Sequence, residues 1–216
     1  MSLHIIVADD HITVRLGARY IINEWMPEAI VSFAENMPEL LRLLSSGTPA
    51  NVVILDINIP GGNSFHMIEM IKNIQKEVHI VMLSAYDELT YALRYIDSGA
   101  DGYVHKNGED QEITEALNTV MQGRKYLSKG MRDYLVERRF QNSETAANNP
   151  MALLGDRELE VTGLLAEGKG VGEIAKTLHI HTSTVGTYKG KIFKKLGVAN
   201  IKELIDLFRQ HGVHVK

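Results

Sequence analysis

The 216-residue sequence contains no cysteine. That excludes a disulfide scaffold, a thiol nucleophile and any thiolate-ligated metal or iron–sulfur centre, and it fits a reducing compartment. No apolar run approaches the length of a membrane span; Val52-Val53-Ile54-Leu55 is strand-sized. The first residues, Met1-Ser2-Leu3-His4, carry neither a basic nor an apolar leader region, so no signal peptide and a cytoplasmic location are expected. Positive charge is also in short supply. The net charge is −4, and that total alone speaks against a nucleic-acid partner. What is present is ordinary globular composition, 44% hydrophobic and 23% charged, in a chain long for one domain and comfortable for two.

The total charge conceals an asymmetry. Residues 1–124 hold 8 basic and 17 acidic side chains, residues 125–150 hold 5 and 3, and residues 151–216 hold 10 and 7. From 174 to 202 there is no acid, while Lys176, Lys189, Lys191, Lys194, Lys195 and Lys202 fall inside that window. An acidic N-terminal part joined to a part with a basic stripe implies two domains with different partners.

Along the first 125 residues, short β-branched segments at 3–8, 29–34, 51–55, 79–84 and 102–105 alternate with helical-period stretches near 11–26, 36–46, 63–74, 86–98 and 109–122. That alternation predicts βαβ units in a doubly wound, five-stranded parallel sheet covered on both faces. Its ligand site should lie at the carboxyl ends of the strands, beside the switch point. A further helix is expected at 128–140 with Ser128 as N-cap, and the polar stretch 141–150 reads as a linker. The remainder is helical throughout. Asp156 starts one helix, Gly168 and Gly170 end it, and 171–178 is a short amphipathic helix. Thr182 or Ser183 caps a helix to Leu196 that Gly197 terminates, and Asn200 caps the last one. A short helix, a tight turn and a longer Lys-rich helix are the layout of a helix-turn-helix. The domain boundaries are placed at 1–125, 126–151 and 152–216.

The predicted strand ends carry chemistry. Asp9 and Asp10 close the first strand, Asp56 the third and Ser84 the fourth, and Lys106 follows the fifth. Three converging carboxylates repel and need a cation, and an all-oxygen set favours Mg²⁺. A metal, an ammonium and a hydroxyl around one carboxylate oxygen are what phosphoryl transfer to that oxygen requires. Asp9-Asp10, Asp56, Ser84, Tyr103 and Lys106, in that order and spacing, resemble the receiver domain of bacterial two-component response regulators over residues 3 to about 125. The resemblance implies that Asp56 accepts a phosphoryl group from a phosphohistidine of a sensor histidine kinase. It implies that Asp10, Asp56 and the backbone carbonyl of Asn58 ligate Mg²⁺, with Asp9 acting mainly through water. Lys106 would pair with the phosphoryl oxygens, Ser84 would swing to the aspartyl phosphate and Tyr103 would turn inward. One departure is Ser64, which stands where the family often has glycine, with Gly61 and Gly62 earlier. Asn58 and Tyr86 occupy positions where the family tunes the lifetime of the phosphoryl group.

Arg157-Glu158, Glu160-Val161, Leu164-Leu165, Gly168, Glu173-Ile174-Ala175, Leu178, Ile180, Thr184-Val185, Ile192 and Lys195-Leu196-Gly197-Val198 resemble the LuxR-type helix-turn-helix of the NarL/FixJ family. The resemblance implies a four-helix unit whose third helix, about 182–196, enters the major groove of double-stranded DNA, and a homodimer on phosphorylation. Val185, Ile192 and Leu196 give that helix one apolar face, and its lysines can neutralise phosphates. Base reading departs from the family: Gly186, Tyr188 and Gly190 stand where Lys, His and another contact residue are common. DNA contact is therefore expected at Thr184, Thr187, Tyr188, Lys189, Lys191, Lys194 and Lys195. Of the nine histidines, His179 and His181 are two apart in a turn without partners at metal-ligand spacing and His211 and His214 lie in a tail, so ordinary surface roles are expected rather than metal binding.

These expectations describe a regulator whose DNA binding is controlled by phosphorylation, with no enzymatic activity beyond Mg²⁺-dependent phosphoryl acceptance and self-dephosphorylation. A phosphatase of the haloacid dehalogenase type would use similar chemistry, but Asp9-Asp10-His11 does not fit its Asp-x-Asp-x-Thr pattern and Asp56-Ile57-Asn58 lacks the second acid. A third possibility is a regulator that binds DNA without phosphorylation.

Overall fold

The computed structural model describes residues 3–47, 49–62, 65–140, 149–178 and 180–211. Ser64, His179, His214 and the linker residues 141–148 lie outside them. The chain divides into two compact units, Met1–Arg132 and Asp133–Lys216.

In the first unit the strands are β1 (His4–Ala8), β2 (Ile30–Ala34), β3 (Val52–Asp56), β4 (His79–Ser84) and β5 (Gly102–His105). They form one parallel sheet in the order β2-β1-β3-β4-β5. The chain reverses its direction of travel across the sheet beside β1, and the ends of β1 and β3, which pair Ala8 with Leu55, border the crevice there. The helices are α1 (Ile12–Trp25), α2 (Met37–Leu44), α3 (His66–Ile74), α4 (Glu88–Asp97) and α5 (Asp110–Met121), and α6 (Lys129–Phe140) begins in this unit and continues in the second. The sheet is covered on both faces, as the continuous apolar strands require: β1 and β3 are buried at every residue.

Side-chain alternation sorts the core. Ile5, Val7, Val52, Ile54, Val81, Leu83 and Val104 meet Ala18 and Ile22 of α1 and Ala116, Leu117 and Val120 of α5. Ile6, Val53, Leu55 and Met82 have the opposite parity and are equally buried, with Leu40 of α2 and Met67, Ile68 and Ile71 of α3. Each such side chain contributes about 1.5–3 kcal/mol of burial. Asn36 caps α2 through the Glu39 N–H at 2.9 Å, Asp87 caps α4 through the Thr90 N–H at 2.9 Å, and Ser128 caps α6 through the Met131 N–H at 3.1 Å.

The second unit holds a short 3-10 turn (Pro150–Leu153) and helices α7 (Asp156–Ala166), α8 (Val171–Thr177), α9 (Thr182–Leu196) and α10 (Ile201–Gln210). The turn cuts into the stretch expected to be linker: Asn149 caps it through the Met151 N–H at 3.0 Å, and Met151 is fully buried. Packing of α9 against α7 and α8, and of α10 against α7, centres on Leu159, Val161, Ile174, Val185, Ile192, Leu204 and Phe208. Gly197 ends α9 at φ +68°, a left-handed conformation that glycine adopts without strain, and Asn200 caps α10. The start of α9 corrects the sequence reading. His181 is the N-cap, in extended conformation and without a side-chain cap bond, so Thr182 and Ser183 lie inside the first turn. Among the described residues, no helix is long and apolar enough to cross a membrane.

Candidate functional site

The sheet brings three of the predicted groups together. Asp9 follows β1 and is held there by its own N–H, which donates to the Ala34 carbonyl at 3.0 Å. Its Oδ1 accepts the His11 N–H at 2.8 Å, which folds the acid over the start of α1. Asp56 is the last residue of β3, and both carboxyls are buried, 1% and 4% exposed. Lys106 is anchored beyond β5 by its N–H on the Ser84 carbonyl at 2.8 Å. Its Nζ lies 2.6 Å from Asp9 Oδ2 and 2.9 Å from Asp56 Oδ1, so a single ammonium bridges two buried acids. Asp10 is turned outward, 39% exposed, with His11 Nδ1 at 2.8 Å from its Oδ1; the same imidazole nitrogen is 3.1 Å from Asp9 Oδ1.

The electrostatics follow from that crowding. Burial pushes the Asp56 carboxyl up to about 6; Lys106 opposes the rise, and the neighbouring charges of Asp9 and Asp10 add to it. Burial works against the Lys106 ammonium, but Asp56 and Asp9 outweigh it and raise its affinity for the proton. The pocket thus holds more negative charge than its one lysine satisfies. Asp9 Oδ2 is buried and has the Lys106 ammonium, shared with Asp56, as its contact at 2.6 Å. Donor oxygens of Asp9 and Asp10 and the His11 ring nitrogen lie within 4.8 Å of one another. This oxygen-rich, under-neutralised cradle fits a divalent cation such as Mg²⁺.

Ser84 closes β4 fully buried, and its Oγ accepts the Tyr86 N–H at 3.0 Å. The Tyr86 carbonyl accepts the Tyr103 hydroxyl at 2.9 Å. Tyr103 already points inward and is completely buried, and that burial holds its phenol far above the ordinary value. Asn58 is exposed. Its Nδ2 donates to the Tyr86 hydroxyl at 2.8 Å, and that hydroxyl lies 3.2 Å from Asn58 Oδ1, joining the β3–α3 and β4–α4 loops. The loop after Asp56 turns on two glycines. Gly61 takes φ +76°, and a Cβ on Gly62 would stand 2.2 Å from Met67 Sδ and 2.9 Å from the Ile59 carbonyl.

Sequence reasoning missed two residues. Arg15 of α1 is 4% exposed; its Nη1 donates to the Asp9 backbone carbonyl at 2.6 Å and its Nη2 to Glu35 Oε1 at 2.5 Å. A lone arginine inside a helical pattern gives no sign of that burial. The other is His11, whose imidazole contacts both Asp9 and Asp10; its place directly after Asp9-Asp10 is the signal in the sequence.

On α9 the structure separates the predicted DNA-contact residues. Thr187, Lys191 and Lys194 are exposed, and Thr184, Tyr188 and Lys189 are half-buried. The Lys189 ammonium lies 5.4 Å over the Phe193 ring. Lys195 is exposed as well, and its Nζ donates to buried Glu158 Oε2 at 2.6 Å and to the Leu153 carbonyl at 3.2 Å, so its ammonium is engaged within its own unit. Burial raises the Glu158 carboxyl, but Lys195 and the Gly155 N–H outweigh it and hold it below its ordinary value.

Comparison with known proteins agrees with both halves. The family model for the response regulator receiver domain matches residues 5–118, and that for bacterial regulatory proteins of the luxR family matches residues 152–208. The oxygen regulatory protein NreC of Staphylococcus carnosus is 32% identical over 209 residues, covering 94% of this chain and 95% of that protein. Among solved structures, RcsB from Salmonella enterica serovar Typhimurium, bound to a promoter in the presence of the phosphomimetic BeF3−, superposes with TM-score 0.77 at 25% identity, over 97% of this chain and all of that one. A structure of two RcsB dimers bound to two parallel DNAs gives TM-score 0.75 at 26% identity, over 96% of this chain and 99% of that one.

Proposed function

This chain belongs to the response regulators of the NarL/FixJ family, which join a receiver domain to a luxR-type DNA-binding domain, and we propose that Asp56 is its phosphoacceptor. The phosphoryl donor is a phosphohistidine of a sensor histidine kinase. In the transfer the P–N bond to that histidine breaks as a P–O bond to an Asp56 oxygen forms in line, and the imidazole leaves with the electron pair. The observation that carries this reading is the buried Asp56 carboxyl at the end of the central strand β3, sharing the Lys106 ammonium with Asp9. Asp9, Asp10, Asp56 and the Asn58 carbonyl would hold Mg²⁺, which supplies neutralisation of the phosphoryl oxygens. Lys106 is placed to exchange part of its contact with Asp9 and Asp56 for the added phosphoryl charge. The pocket turns over only its own phosphoryl group; repeated hydrolysis of a generic phosphate ester would contradict that.

The second unit binds double-stranded DNA through α9 as a homodimer, a reading that the DNA-bound RcsB assemblies support. The protein acts in the cytoplasm, where its DNA and kinase are. Incubation with Mg²⁺ and acetyl phosphate, followed by intact mass measurement, should add one phosphoryl group, and Asp56→Ala should abolish it. Persistent labelling of that variant would overturn the assignment.

A further inference from the structure

Between the pocket and α6 runs an unbroken line of contacts. Ser84 Oγ accepts the Tyr86 N–H at 3.0 Å. The next residue, Asp87, caps α4, its Oδ2 accepting from the Thr90 N–H at 2.9 Å and from the Thr90 hydroxyl at 2.8 Å. Glu88, the first residue of α4, then reaches a residue forty positions along the chain. Its Oε1 accepts the Ser128 N–H at 2.9 Å and its Oε2 accepts the Ser128 hydroxyl. That hydroxyl in turn accepts the Met131 N–H at 3.1 Å, which is the N-cap bond of α6. The Ser128 hydroxyl therefore donates to α4 and caps α6 at once, and the Glu88 carboxylate fixes its orientation. Ser84 lies only four residues before Glu88, and α6 leads out of the receiver unit toward the DNA-binding unit in chain order.

We propose that Glu88 is a positioning residue that ties the state of the pocket to helix α6. While Asp56 is unmodified, its carboxylate completes the Ser128 cap; when Ser84 turns to an aspartyl phosphate, it lets go. The inference rests on the reading of Asp56 as phosphoacceptor. The physical reason is geometric. Turning Ser84 about its Cα–Cβ bond, so that its hydroxyl donates to a phosphoryl oxygen, carries Oγ away from the Tyr86 N–H that it accepts in the unmodified pocket. The Asp87 cap carries the resulting shift of Tyr86 into the first turn of α4, and a two-oxygen clasp on one serine tolerates little displacement before its bonds weaken. A cap that depends on a partner in another helix is then present in one state and absent in the other.

The test is hydrogen exchange by mass spectrometry on the full chain with Mg²⁺, with and without acetyl phosphate, with intact mass reporting phosphorylation in the same samples. In the wild-type protein, phosphorylation should speed exchange of the α6 amides at 131–133 about fivefold, the size of a lost N-cap. In Glu88→Ala those amides should already exchange fast, and the donor should change them less than about twofold although Asp56 is phosphorylated as before. Ser128→Ala should behave alike, and provides the same comparison where Glu88→Ala fails to fold. Ser128→Thr, which keeps the hydroxyl, should restore the wild-type response. Phosphorylated wild-type protein with unchanged α6 exchange overturns the coupling, as does a full response in phosphorylated Glu88→Ala. Wild-type protein that takes up no phosphoryl group overturns the Asp56 reading, and the coupling with it.

Discussion

Removing the charge of Asp56 should stabilise the metal-free receiver unit, and the size follows from the pocket. The carboxyl titrates near 3.8 when unfolded and about 6 in the folded pocket. An acid whose folded value is raised binds more protons in the native state than in the unfolded one between those limits. Stability therefore falls as pH climbs from about 4 to about 6, and the full penalty is present at neutral pH. At 1.36 kcal/mol per pH unit the gap corresponds to about 3 kcal/mol. Asp56→Asn escapes that penalty but leaves Lys106 with Asp9 alone, so the net gain should be about 1–3 kcal/mol, or about 3–10 °C in the receiver transition. Differential scanning calorimetry at pH 7.5 in EDTA measures it. At pH 4 the two proteins should converge, because the wild-type carboxyl is then protonated when folded. Millimolar Mg²⁺ should stabilise the wild type more than Asp56→Asn and narrow the difference, since a bound ion stabilises only the state that ligates it. A variant midpoint at or below the wild type in EDTA at pH 7.5 would refute the argument, and so would a difference indifferent to both pH and Mg²⁺.

Lys195→Met should cost the second unit about 1–3 kcal/mol in chemical denaturation by stranding Glu158 in its buried position. Because Glu158 is held below its ordinary value, the wild-type pair contributes above about pH 4.5 and fades as pH falls; the loss in Lys195→Met should shrink with acid in step. Lys191→Ala should leave stability unchanged and lower the magnitude of the log–log salt slope of DNA binding by about one; an unaltered slope would remove Lys191 from the interface. Gly186→Ala should stabilise the second unit by about 0.5–1 kcal/mol, because a Cβ there meets nothing within 4 Å. Gly62→Ala should destabilise the receiver by about 1–3 kcal/mol, since its Cβ collides with Met67 and the Ile59 carbonyl; an unchanged thermal midpoint would show that the loop gives way freely.

Local patterning by itself determines the architecture of this protein. Uninterrupted apolar strands such as Val52-Val53-Ile54-Leu55 can be satisfied only by a sheet buried on both faces, and helical periods between them dictate parallel crossovers. Once the strands are parallel, their carboxyl ends share one edge, which is why Asp9, Asp56, Ser84 and Lys106 could be assembled from sequence order alone. Gly197 and Asn200 were legible too, because caps depend on residues a few positions apart. Partners distant in sequence were not legible, since no local rule states them. The fold alone decided that Lys106 bridges Asp9 and Asp56, that Arg15 supports the Asp9 backbone, and that Ser84 faces the Tyr86 N–H. It likewise paired Lys195 with Glu158, 37 residues earlier, because a buried carboxylate with one backbone donor is worth more to the fold when an ammonium closes over it.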